Sequence, residues 1–159
     1  MQDIKTVTGD LSARDFRIAI VAARFNESVV DNLIRGAVDT LCRHGVNEKD
    51  ILLVRVPGAF ELPHMVRKLT QSKRHDAILA LAAVIRGGTP HFEYVAGSCA
   101  NGLANIASAS DVPIAFGVLT CDSAEQAIDR AGGKVGNKGA DAARAAIEMV
   151  NVARALGNS

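Results

Sequence analysis

Arg86, Gly87, Gly88, Thr89, Pro90 and His91 directly follow an apolar run and lead into "HFEYV", the start of a helical pattern. A tight turn needs a glycine or two and nothing more. Thr89 suits a helix N-cap, Pro90 the first helical position, and Glu93 the first turn, where the helix dipole favours a carboxylate. Gly87 and Gly88 let backbone approach a ligand with no side chain in the way. A helix N-terminus with free N–H groups, bordered by glycine and a threonine hydroxyl, is a ready phosphate site. His91, expected one turn inside that helix, carries a group able to move protons at neutral pH. The same residues also fit a capped turn with an exposed histidine, and taken alone they leave both descriptions open.

Three other stretches carry groups of comparable promise. In "VPGAFELP", Glu61 can accept hydrogen bonds from several hydroxyls of a polyol, or serve only as a first-turn acid. In "ARFNES", Phe25 stands between Arg24 and Asn26 and can stack on a flat heterocycle, or simply belong to the core. In "DRAGGKVGNKG", Arg130 and Lys138 are available to an anion, although exposed cations usually do no more than solvate a loop.

Several familiar site signatures are missing. "ARFNES" has no glycine, so the dinucleotide fingerprint is absent where it belongs, and "GGKVGNKGA" does not meet the GxxxxGK[ST] spacing. No acidic cluster marks a phospho-acceptor domain, and no Ser-His-acid set sits in a GxSxG context. Cys42, Cys99 and Cys121 lie far apart with no metal-like cluster, which suits small buried hydrophobes in a reducing cytoplasm.

The elements that must position these groups follow from the apolar pattern. "RIAIVAA" (17–23), "ILLVRVP" (51–57), "AILALAAVI" (77–85) and "PIAFGVLT" (113–120) are nearly continuous in apolar residues, as parallel strands covered on both faces are. Helical periodicity fills the intervals, beginning with Val29, Val30, Leu33, Ile34, Ala37, Val38 and Leu41 and stopping at Gly45. The alternation predicts a three-layer α/β sandwich around a central four-stranded parallel sheet. In such sheets ligands collect beyond the carboxyl ends of the strands, and the stretches singled out above fall there.

The chain has 159 residues, 48% of them apolar, which fits a single domain over 1–159. A net charge of +1 gives no reason to expect nucleic acid, and no apolar run is long enough for a membrane span. Residues 1–15 read as a polar arm, either loose or forming a strand with a neighbouring subunit. The last helix carries two apolar stripes. Ala143, Ala146, Ile147 and Val150 form one, and Met149, Val152 and Leu156 form another, so a second copy of the chain is expected against it.

Taken together, "ARFN", "VPGAFELP", "VIRGGTPHFEYV", "FGVLT", "EQAIDRAGGKVGNKG" and the alanine-rich last helix resemble the lumazine synthase family, from about residue 14 to the C-terminal helix. The resemblance implies a flavodoxin-like fold and the condensation of 5-amino-6-(D-ribitylamino)uracil with 3,4-dihydroxy-2-butanone 4-phosphate. That reaction yields 6,7-dimethyl-8-ribityllumazine, phosphate and water, with no metal and no organic cofactor. By the same resemblance Phe25 stacks on the pyrimidine, Asn26 borders that pocket, and Ala59, Phe60 and Glu61 line the ribityl chain. Val84 and Ile85 approach the pyrimidine edge through backbone, Gly88, Thr89 and Arg130 hold phosphate, and His91 moves protons. Phe116 closes the pocket from the adjacent subunit, and Lys138 matches the basic "NKG" position. Ser123 departs from the pattern, since relatives often carry Asn there. The family forms pentamers, and some members close twelve of them into a hollow 60-mer, with a riboflavin synthase as the partner such a shell can enclose. The chain lacks an extended insertion around 132–139, which is compatible with such a shell. Two neighbouring readings are a small-type riboflavin synthase and a non-catalytic lumazine- or flavin-binding shell protein.

Overall fold

A computed structural model describes residues 3–157 of the chain. Four strands, β1 (Ile18–Ala23), β2 (Ile51–Val56), β3 (Ala77–Ile85) and β4 (Ile114–Cys121), pair in the order β2-β1-β3-β4, each pair parallel. The helices are α1 (Glu27–Arg43), α2 (Leu62–Ser72), α3 (His91–Ala109), α4 (Ala124–Arg130) and α5 (Lys138–Gly157).

Alternation along each strand sends its side chains to two separate cores. Ile18, Ile20 and Ala22 join Leu79, Leu81 and Ala83 beneath α1 and α5. Ala19, Val21 and Ala23 join Ile78, Ala80 and Ala82 beneath α2 and α3. Helices on both faces explain why β1 and β3 read as unbroken apolar runs. This is the three-layer parallel architecture that those runs predict.

The edge strands differ. β2 pairs only with β1, and Leu52 and Leu53 remain nearly half exposed, whereas the sequence reads as a strand covered on both faces. Phe116 on the opposite edge strand, β4, is likewise half exposed. Residues 131–137, expected as loop, form a small antiparallel hairpin of β5 (Ala131–Gly133) and β6 (Gly136–Asn137). Gly132 and Gly136 supply its positive-φ positions, at 106° and 81°.

The polar arm is not loose throughout. The Asn151 amide donates to the carbonyls of Asp10 and Ser12, and the Ala13 N–H donates to the His44 carbonyl at 2.8 Å. Phe16 is buried, with the Arg154 guanidinium 4.4 Å from its ring centroid. Residues 3–17 form no strand within the chain. On α5, Ala143, Ala146, Ile147 and Val150 are buried, while in the second stripe Val152 is half-buried and Met149 and Leu156 are more than half exposed, so one apolar stripe is used and the other is largely open. Cys99 and Cys121 are buried and Cys42 half-buried, all free, and burial pushes the Cys99 thiol up to about 11. No helix among the described residues is long and apolar enough to cross a membrane.

α1 and α5 cross closely at Gly139, where an added Cβ would collide with the Leu33 carbonyl oxygen. Backbone cannot yield there as a flexible side chain can. Gly139→Ala is therefore expected to cost about 3 kcal/mol and lower Tm by roughly 6–12 °C, read by thermal unfolding. An unchanged Tm would mean that the crossing relaxes freely.

Candidate functional site

The chain leaves β1 for β2 on one side and returns past β1 to β3 on the other. Such a reversal leaves a crevice at the carboxyl ends of the two inner strands. A cavity of about 690 Å³ lies there, a size suited to a small molecule.

The end of β1 contributes Phe25 and Asn26. The Arg24 and Phe25 N–H groups donate to the carbonyls of Val56 and Pro57 at 2.8 and 3.0 Å, which extends the ladder and fixes the loop. Phe25 is 73% exposed, an unusual state for a large aromatic. Asn26 occupies the left-handed region at φ 58°, which asparagine tolerates, and its Nδ2 donates to the Ala83 carbonyl at 2.8 Å. That bond ties the start of α1 to the end of β3.

After β2, a 3-10 turn over Ala59–Glu61 brings Ala59, Phe60 and Glu61 into the lining. Ala59 is buried, whereas Phe60 is 62% exposed. Glu61 Oε2 accepts from the Gly58 N–H at 2.9 Å, which holds the carboxylate in place. Its other oxygen has no partner among the described residues and is available to a hydroxyl. From β3 come Val84, buried, and Ile85, half-buried.

Gly87, Thr89 and His91 complete the lining on the α3 side. Gly88 is exposed beside the cavity and is not part of its lining. The helix start also differs from the sequence reading. Pro90 occupies the N-cap position with backbone already helical at φ −65°, no side chain caps the helix, and His91 is its first residue rather than one turn inside. The proline ring fixes φ near the helical value, and the Thr89 hydroxyl makes no capping bond. In the first turn the Glu93 N–H donates to the Pro90 carbonyl at 3.2 Å, while those of His91 and Phe92 have no acceptor within the helix.

The sequence reading missed Pro57, Gly58, Ala83, Phe92, Tyr94 and Val95, all of them in the lining. His91, Tyr94 and Val95 stand at the i, i+3, i+4 spacing of one helix face, and that was the available signal.

Phe116, Arg130 and Lys138 do not reach this cavity. Phe116 lines a second, apolar groove with Ala100, Leu103, Ala104, Ala107 and Ile114. Arg130 closes α4, its Nη1 donating to the Gln126 carbonyl at 3.1 Å. Lys138 pairs with Asp141 at 2.9 Å, a contact that, as the largest cause, holds the Asp141 carboxyl below its ordinary range. No lysine or arginine therefore lines the cavity among the described residues. Nor do three His, Cys, Asp or Glu side chains converge anywhere among them to hold a metal.

Sheet order and crevice together define a flavodoxin-like α/β protein with a small-molecule site at its switch point. Comparison with known proteins goes further. The profile of the 6,7-dimethyl-8-ribityllumazine synthase family matches residues 15–154. A 6,7-dimethyl-8-ribityllumazine synthase from Edwardsiella ictaluri (strain 93-146) is 55% identical over 154 residues, spanning 96% of this chain and 99% of its own length. Another, from Nitratidesulfovibrio vulgaris (strain DSM 19637 / Miyazaki F), is 53% identical over 156 residues, spanning 98% and 100%. The chain belongs to the 6,7-dimethyl-8-ribityllumazine synthase family.

Proposed function

We propose that the crevice condenses 5-amino-6-(D-ribitylamino)uracil with 3,4-dihydroxy-2-butanone 4-phosphate to give 6,7-dimethyl-8-ribityllumazine, the penultimate step of riboflavin biosynthesis. Family membership carries the reaction. The observation that best supports this site for it is the lining itself, which combines exposed aromatics, a held carboxylate and a histidine at a helix start.

In this reading the pyrimidine lies on Phe25, with Asn26 at its border and the backbone of Val84 and Ile85 at its edge. The ribityl chain runs along Ala59 and Phe60, and its hydroxyls donate to the free oxygen of Glu61. The phosphate rests on the N–H groups at the start of α3 with Gly88 and Thr89 beside it. The ring amine attacks the ketone and water leaves to form an imine. A proton is then removed next to the imine and phosphate is eliminated. The side chain swings round, the second amine closes the ring, and a second water departs. His91, at the phosphate end, is placed to move these protons, while the crevice holds the partners in register.

A phosphate dianion calls for a cation, and among the described residues no lysine or arginine lines the crevice of one chain. The Arg130 side chain of a neighbouring subunit fills that need in this proposal, with Lys138 close by in sequence and Phe116 of the same neighbour closing the pocket. The open second stripe of α5 and the apolar groove around Phe116 support a ring of subunits. A pentamer, alone or built into a 60-mer able to enclose a riboflavin synthase, is the assembly proposed. Three unpaired cysteines suit the cytoplasm as its compartment.

The test is to replace the phosphate ester with the unphosphorylated dihydroxybutanone. Turnover should fall by at least about 100-fold, because both the leaving group and the anchor are gone. Equal rates would remove the phosphate from the mechanism. Riboflavin formed from lumazine alone would favour the small-type riboflavin synthase instead.

A further inference from the structure

Arg86 lies between Ile85 and Gly87, both of which line the crevice, and the reaction above gives it no task. Its side chain joins three elements. Nε donates to Asp122 Oδ1 at 2.8 Å, just beyond β4, and Nη1 donates to the Glu93 carboxylate in the first turn of α3. The guanidinium carbon stands 4.2 Å from the ring centroid of Phe92, which itself lines the cavity. The backbone is fixed too, since the Arg86 N–H donates to the Cys121 carbonyl at 2.8 Å.

Between this anchor and the helix lie Gly87, Gly88, Thr89 and Pro90. An added Cβ at either glycine would meet nothing within 4 Å, so packing does not hold the segment. No side chain caps α3. Phe92, Val95 and Ala96 pack the first turns of α3 on the core, and the polar tie from the helix start to the strand ends falls to Arg86, whose flat fork and stacking face suit two carboxylates and a ring together. The hydrogen bonds to Asp122 and then Glu93 raise the Arg86 pKa, and the bond from Arg86 is the largest cause lowering that of Glu93. Both partners of the clamp thus stay charged across the neutral range.

We infer that Arg86 is a positioning residue, which clamps Glu93, Asp122 and Phe92 so that Thr89 and His91 meet the phosphate end of the substrate. This inference rests on the reaction proposed above. Exposed ion pairs add little to global stability, and all three charged side chains are 43–69% exposed. The effect is local, on the five residues after β3.

Arg86→Met should lower kcat about 10–100-fold, while KM for ribitylaminouracil stays within about twofold, because its contacts come from other elements. The amides of residues 87–92 should exchange hydrogen about tenfold faster with Tm unchanged. Glu93→Gln combined with Asp122→Asn should reproduce both effects in a chain that keeps Arg86, and adding Arg86→Met should do little more. Arg86→Lys should recover only part of kcat, since a point charge cannot fork. If Arg86→Met leaves kcat and exchange unchanged in an active parent, the inference is wrong. It is equally wrong if the carboxylate pair can be neutralised without loss, for then Arg86 acts on the substrate directly. Should the parent make no lumazine, the reaction assignment fails, and the exchange measurement still decides the clamp.

Discussion

Replacing His91 with alanine should slow overall turnover by about 10²–10⁴-fold without abolishing it. The reasoning starts from what remains. In the proposed site, Phe25, Glu61 and the strand-end backbone would still hold the pyrimidine and ribityl chain, and the helix N-terminus would still receive the phosphate. Orientation supplies much of the acceleration, so a substantial rate survives the loss of one proton carrier. The loss should fall on kcat, with KM for ribitylaminouracil little changed, because an imidazole at the phosphate end does not bear on the ring. Steady-state kinetics with each substrate varied separates the two constants. Unchanged kcat would deny His91 its role, and a defect confined to KM would make it a binding residue.

Removing Arg130 should give the second large effect and locate the site between subunits. Arg130→Ala is expected to raise KM for the butanone phosphate about 10–150-fold, as for a lost hydrogen bond to a charged group. The sharper result comes from mixing. Rings assembled from equal amounts of His91→Ala and Arg130→Ala chains contain some junctions that pair an intact His91 with an intact Arg130. If the two residues come from different subunits, on the order of a quarter of the junctions are complete. Activity at low butanone phosphate should then return to about that fraction of the parent. If both residues serve one chain, no junction is complete and mixing gives only the mean of the two variants. Arg130 lies outside the cavity of its own chain, and this experiment turns that placement into an assembly prediction.

Much of this arrangement was legible before any coordinates. β1 and β3 announce themselves because both faces are covered, so nearly every residue is apolar. Phe25, Ala59 to Glu61, Val84, Ile85, Thr89 and His91 all gather at one cavity because strand ends and helix starts are where such a sheet converges. Other features left no such trace. Leu52 and Leu53 read like a central strand, since local composition does not reveal which strand lies at an edge. The β5 and β6 strands are too short for alternation to register. Thr89 has the residue type of a cap, but Pro90 takes that position. Arg130 and Lys138 are assigned to the site by resemblance alone and lie outside the cavity of their own chain, because a motif carries no information on where the fold places its residues.

The most direct test of the central claim follows lumazine absorbance and phosphate release together after the purified, assembled protein is mixed with both substrates. The account predicts that the two products appear in equal amounts, at one rate, and only when both substrates are present. A folded and assembled protein that binds lumazine, yet forms none and releases no phosphate, would contradict it and leave a binding shell in its place.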